Sequence, residues 1–180
     1  MRPSSKVQLL EAAVHVTARD GIAGVTLEAV ASEAGLTKAG LLYHFRSKEA
    51  LLEAVQHHLL ERLEGQLLDA LGRPLEEATP QEAAAAYLSM ISSEMPRRAD
   101  LIFVLESMAH PYLARPWDEL MERWIPQPRS ARSVAVDLFL TRMAVDGIWL
   151  FDATSGTPLS PSVRQALIER IAGVAAPRQP

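Results

Sequence analysis

Across residues 26–48 the apolar positions fall into two short helical faces divided by a glycine. In the first segment Leu27, Val30, Ala31 and Ala34 recur at spacings of three and four, which gathers them on one side of a helix. In the second, Leu41 and Phe45 stand four apart and point back at the first. Thr26 and Thr37 stand just ahead of the two segments, where a hydroxyl can accept a bond from an orphan backbone N–H. Gly35 sits between them and can take the left-handed conformation that a helix end needs. The small residues Ala31, Ala34, Ala39 and Gly40 let the two helices cross closely. The pattern predicts a helix-turn-helix, whose second helix can lie in a DNA major groove.

Helical spacing continues along the chain, with Pro and Gly as punctuation and no alternating strand pattern. Residues 5–19 form an amphipathic helix with Val7, Leu10, Ala13, Val14 and Ala18 inward, ended by Asp20 and Gly21. A long helix is predicted over 48–71. Another opens at Thr79-Pro80-Gln81-Glu82, with Pro at the first helical position, and runs towards Met95. Segments 97–110, 116–124, 130–153 and 161–174 complete an all-α chain of about nine helices. Residues 1–48 are expected to form a DNA-binding head and 49–180 a body, with helix 49–71 joining them.

Composition narrows the setting. A chain of 180 residues without cysteine has no disulfides or thiolate metal sites, and an intracellular home is expected. Glu11 interrupts the first apolar run, so no secretory segment is expected, and the cytoplasm is the predicted location. The most apolar stretch, 134–151, contains Asp137, Arg142 and Asp146 and is not read as a membrane span. The net charge of −4 argues against nucleic acid when taken alone. Its distribution does not, because all three lysines lie within residues 1–50, which carry +1 against −5 for the rest.

The run G-L-T-K-A-G-L-L-Y-H-F from Gly35 to Phe45, followed by Ser47-Lys48-Glu49-Ala50-Leu51, resembles the DNA-binding domain of the TetR family of bacterial transcriptional regulators. The resemblance spans roughly residues 6–60 and departs at Leu42, where many members carry tyrosine and make a polar groove contact. It implies a homodimer that binds a double-stranded operator and releases it on binding a small molecule, usually as a repressor. On the head, the Thr37 hydroxyl, the Tyr43 phenol and Lys48 suit phosphate contacts, with Thr26 a fourth candidate and His44 on the same outer edge. Lys38 and Ala39 occupy the first turn, the part that reaches base edges. The second helix has neither Asn nor Gln, so its readout is expected from Lys38 on guanine and Leu42 on a thymine methyl.

In the body the resemblance implies an effector pocket among the middle helices. Candidates are Tyr87, Met90, Met95, Phe103, Met108, Tyr112, Trp117, Met121 and Trp124, with Ser93, Glu94, Glu106, Ser107, His110 and Arg142 as polar groups able to orient a ligand. No fixed pattern selects among the polar groups, and for any single aromatic or methionine plain core filling is the favoured account. Their character predicts an apolar effector. Segment 130–153 is apolar almost all round apart from a narrow stripe at 137, 141, 142 and 146, so it needs cover on both sides. A second subunit is expected there, meeting Leu138, Arg142, Val145 and Trp149, with Val163, Leu167 and Ile171 on the last helix; a central helix covered within one chain is the alternative. No metal site is expected from the five histidines, no cofactor motif appears, and no acid–base pair at a recognisable spacing suggests an enzyme. Two other classes stay open: a helical binding protein that has lost operator specificity, and an enzyme using the body cavity.

Overall fold

The computed structural model describes residues 4–92, 97–131 and 134–175. Ser93, Glu94 and Met95 of the pocket candidates lie outside the described residues. Nine α-helices are found among those described: α1 Ser5–Gly24, α2 Leu27–Glu33, α3 Lys38–His44, α4 Lys48–Leu71, α5 Pro80–Ser89, α6 Arg98–Ser107, α7 Pro111–Trp124, α8 Val134–Thr154 and α9 Pro161–Ala175. Single 3-10 turns follow at Leu75–Glu77 and Met90–Ser92. The chain divides into two compact units, Met1–Arg62 with Arg97–Trp117, and Leu63–Pro96 with Asp118–Pro180. The unit holding the helix-turn-helix thus extends past residue 48, taking in most of α4 and all of α6.

In the first unit α1, α2 and α3 pack about one apolar core. Leu9, Val14, Val16, Val25, Val30, Leu41, Leu51 and Val55 are fully buried in it, and Phe45 nearly so. Phe103 and Leu113 belong to the same core. Polar groups bind α6 to α1 and α4 as well. Asp100, buried in α6, takes Arg62 at 2.5 Å and Arg97 at 3.0 Å, and Glu11 of α1 takes Arg97 at 2.6 Å, Arg62 at 3.0 Å and His58 at 3.0 Å. Burial pushes the Glu11 carboxyl upward, but hydrogen bonds from Arg97 and His58 outweigh it and hold the group below the usual carboxylate range.

Among the helix boundaries that differ from the sequence expectation, two have a cause in the local geometry. Helical bonding resumes after Gly21, which sits at φ 74°, ψ 167° inside α1, so the expected stop is a kink. Glu106 of α6 accepts the Ile22 N–H there at 2.5 Å. Helix α7 starts at Pro111, and Pro116 lies within it. Proline suits a first helical turn, and His110 O accepts the N–H groups of Leu113 and Ala114, so Pro111 begins the helix. Pro116 removes one internal bond without ending it.

In the second unit α5 packs on α8 and α9, and α8 on α9. The start of α5 has the expected form: Thr79 Oγ1 accepts the Glu82 N–H and the Glu82 carboxylate accepts the Thr79 N–H. Helix α8 reverses the usual arrangement. Its polar stripe turns inward: Thr141 is fully buried, Arg142 donates to Ile125 O at 3.3 Å, and Asp146 accepts the Tyr87 hydroxyl at 2.5 Å. Burial drives the Asp146 carboxyl above its ordinary range, against the opposing pull of Tyr87 and Arg142. Arg164 ties α9 to α8 through both oxygens of Asp152.

This corrects the expected dimer face. Leu138, Val145 and Trp149 are buried in the chain's own core, Trp149 edge-on to Tyr87 at 5.2 Å, and Arg142 turns the same way. A helix apolar on every side gives no periodic cue to which side is inward. The opposite side carries Val136, Leu140, Met143, Gly147, Leu150 and Phe151, with Leu140 52% and Met143 58% exposed. On α9 Val163 is exposed, while Leu167 and Ile171 are half-buried.

Two outcomes follow from this packing. Gly21 occupies a backbone region essentially closed to other residues, so Gly21→Ala should destabilise the protein by about 1–3 kcal/mol, read as a lower denaturation midpoint. Met143→Lys should leave the fold intact by circular dichroism and shift sedimentation towards monomer, whereas Leu138→Lys should unfold the second unit.

Candidate functional site

The helix-turn-helix forms as its capping residues require. Thr26 Oγ1 accepts the Ala29 N–H at 3.0 Å, and Thr37 Oγ1 accepts the Gly40 N–H at 3.1 Å, so each hydroxyl keeps its own hydrogen to donate. Gly35 at φ 66° makes the turn, and a Cβ there would meet nothing, so its role is backbone conformation alone. The turn closes with Leu36 N–H to Ala31 O at 2.9 Å.

Burying Leu41 and Phe45 leaves the other side of α3 in solvent. Lys38 and Ala39 are exposed on it, Leu42 is 40% exposed and Tyr43 86%. His44 is half-buried, with its Nε2 2.9 Å from Ser5 Oγ and its ring edge-on to Tyr43 at 5.1 Å. Lys48 opens α4 and donates to Ala23 O at 3.3 Å, which fixes the side chain and leaves two of its three donors. Lys38 is not idle either: its ammonium lies 2.5 Å from Glu28 Oε1 on α2. The sequence reading missed Glu28, although a carboxylate ten residues before Lys38 on the neighbouring short helix could have raised the pairing. It also passed over Arg46, exposed in the turn between α3 and α4.

The pocket candidates are scattered. Tyr87, Met90, Met121 and Trp124 are buried in the second unit, but Phe103, Glu106, Met108, His110 and Trp117 belong to the first. Phe103 fills the core there, Glu106 is engaged with Ile22, Met108 is exposed and His110 O opens α7. Ser107 Oγ lies 2.7 Å from Val104 O and 3.4 Å from Gln56 Oε1. A cavity of about 370 Å³ does exist in the second unit, and among the expected pocket residues Trp124 lines it. Leu75, Ala83, Ile125, Val134 and Leu138 are among its apolar lining, with Thr79, Gln81 and Arg123 as polar groups. Glu64 Oε1 holds both Arg123, at 2.7 Å, and the Trp124 indole N–H, at 3.3 Å. Two further buried donors, Gln56 Nε2 and Trp149 Nε1, meet no acceptor in the structure. A polar residue within the apolar stripe of α4 marks Gln56 in the sequence.

No helix among the described residues is long and apolar enough to cross a membrane, and no three of their His, Asp or Glu side chains are placed to share a metal ion. Residues 9–55 match the family of bacterial regulatory proteins called tetR, and residues 81–176, more than half of the chain, match the tetracyclin repressor-like C-terminal domain. The transcriptional regulator BetI of Paraburkholderia phytofirmans is 29% identical over 170 residues, covering 88% of this chain and 86% of that protein. Two solved structures share the fold. A TetR-like transcriptional regulator from Rhodococcus sp. RHA1 has a TM-score of 0.69 at 18% identity, covering 97% of this chain and 95% of that one. The multidrug binding protein EbrR, complexed with malachite green, has a TM-score of 0.63 at 20% identity, covering 94% and 98%. With both parts of the chain matched and the helix-turn-helix in place, this protein belongs to the TetR family of transcriptional regulators.

Proposed function

We propose that the chain acts in the cytoplasm as a homodimeric repressor, released from a palindromic operator by a small apolar effector. The observation that carries the reading is the division of α3: Leu41 and Phe45 are buried while Lys38, Ala39, Leu42 and Tyr43 stand in solvent. Residues 1–48 serve as the DNA-binding head and 49–180 as the effector and dimer body. In each half-site Lys38 donates to a guanine and Leu42 packs on a thymine methyl. Thr26, Thr37, Tyr43, His44 and Lys48 set the register on the backbone. The apolar side of α8 opposite Leu138, together with Val163, Leu167 and Ile171 of α9, meets the second subunit.

The cavity beside Trp124 is where the effector is held. Its volume falls in the range of small-molecule sites, and its wall is apolar apart from a few groups that can orient a ligand. EbrR shows that this fold accommodates a small molecule. The effector shifts the population towards a conformation in which the two heads no longer match the operator spacing. Coupling has two routes into the head: α4, which is continuous from 48 to 71, and α6, held to α1 by Arg97 and Glu106 and to α4 by Asp100.

DNA binding separates the two lysines. Lys38→Ala should weaken operator binding by about 1–3 kcal/mol and relax the preference at one base pair per half-site. Lys48→Ala should weaken all sequences alike and lower the salt slope by about one unit per head. Fluorescence anisotropy across base-substituted duplexes and salt concentrations checks both, and an unchanged base preference in Lys38→Ala would mean that α3 does not enter the groove as stated. For the effector, a panel of uncharged aromatic hydrocarbons and ketones should quench Trp124 in a Trp117→Phe, Trp149→Phe background. A ligand that does so should weaken DNA binding by the factor by which DNA weakens ligand binding.

A further inference from the structure

Glu28 lies in the first turn of α2 and Lys38 is the first residue of α3. Their charged atoms are 2.5 Å apart, with the side chains 63% and 53% exposed. The hydrogen bond from Lys38 is the main cause holding the Glu28 carboxyl below its ordinary range. An ion pair so open to water adds little to the stability of the fold, so its consequence lies on the surface where it sits. Lys38 is the cation best placed to reach a base edge, and in the free protein its charge is already offset. Phosphate contacts are worth what they release in counterions, and a lysine held by a carboxylate brings no net charge to the duplex. A guanine edge offers two acceptors in fixed geometry and competes for the ammonium far better than a passing phosphate does.

We propose that Glu28 is a specificity-determining residue: it retains the Lys38 ammonium until a guanine edge draws it off, and so suppresses binding to non-operator DNA. The proposal rests on the DNA-binding reading above. It predicts that Glu28 acts through Lys38 and makes no base contact of its own.

The test uses the full-length dimer, a scrambled duplex, an operator duplex, and the variants Glu28→Gln, Lys38→Ala and the double variant. Anisotropy is read over a range of salt, and circular dichroism checks that each variant is folded. One contact with a salt exponent of about 0.9 is worth about fivefold at 0.15 M salt, so Glu28→Gln should strengthen scrambled-duplex binding about fivefold per head. Its salt slope should steepen by about 0.9 per head, and operator affinity should rise less, so the specificity ratio falls. In the Lys38→Ala background Glu28→Gln should change nothing. The proposal is overturned if the effect persists without Lys38, which would make Glu28 a direct repeller of phosphate. It is equally overturned if Glu28→Gln weakens the operator at one base pair, as a carboxylate reading cytosine would, or leaves non-operator binding unchanged. The scrambled-duplex arm needs no operator, so this failure is distinct from that of the functional reading. A wild-type chain that binds none of the duplexes sinks both.

Discussion

Helix α3 has seven residues, too few to hold a helical form in water without tertiary support. It exists because Leu41 and Phe45 are buried against α1 and α2, and everything the head can do depends on that burial. Anchoring one side fixes the rotation of the helix about its axis, so Lys38, Ala39, Leu42 and Tyr43 must face outward together. The caps at Thr26 and Thr37 and the positive φ of Gly35 define where the two helices begin and how they turn, which leaves the packing a single solution.

The same logic explains why the head was legible in the sequence and the body less so. In the head, spacing, caps and turn glycine fall within some twenty neighbouring residues, and each local preference agrees with the others. Helix α8 offers no such agreement. Its polar residues Thr141, Arg142 and Asp146 look like a solvent stripe, yet Tyr87 and Ile125, far off in the chain, satisfy Asp146 and Arg142 internally. The apolar residues on the opposite side are the ones in solvent. The cavity beside Trp124 is assembled from α5, the end of α7 and the start of α8, so no window of sequence contains its wall. Trp124, expected as one of the aromatic and methionine residues of the middle helices, lines that cavity. Ala83, Val134 and Leu138 carry no such mark.

Ties across long sequence distances also shape how the head could be controlled. Arg97, Asp100 and Glu106 fasten α6 to α1 and α4 through charged hydrogen bonds, and the Glu106 bond to Ile22 lands on the Gly21 kink just ahead of the helix-turn-helix. An ionic junction of this kind has a defined geometry, and losing one partner leaves another charge uncompensated, so it favours discrete arrangements over gradual drift. A displacement of α6 would therefore reach Ile22, whose carbonyl accepts the Val25 N–H, in addition to any change carried along α4. Glu28 and Lys38 form another such tie, between α2 and the exposed side of α3.

The central claim is that the outer side of α3 reads a two-fold DNA site. Hydroxyl-radical footprinting of the DNA flanking the gene, at physiological salt, tests it most directly. The account predicts two protected half-sites on one face of the duplex, separated by a whole number of helical turns of about 10 base pairs, with a guanine in each that methylation interference shows to be essential. Uniform protection without a boundary, or a single protected half-site at saturating dimer, would contradict it.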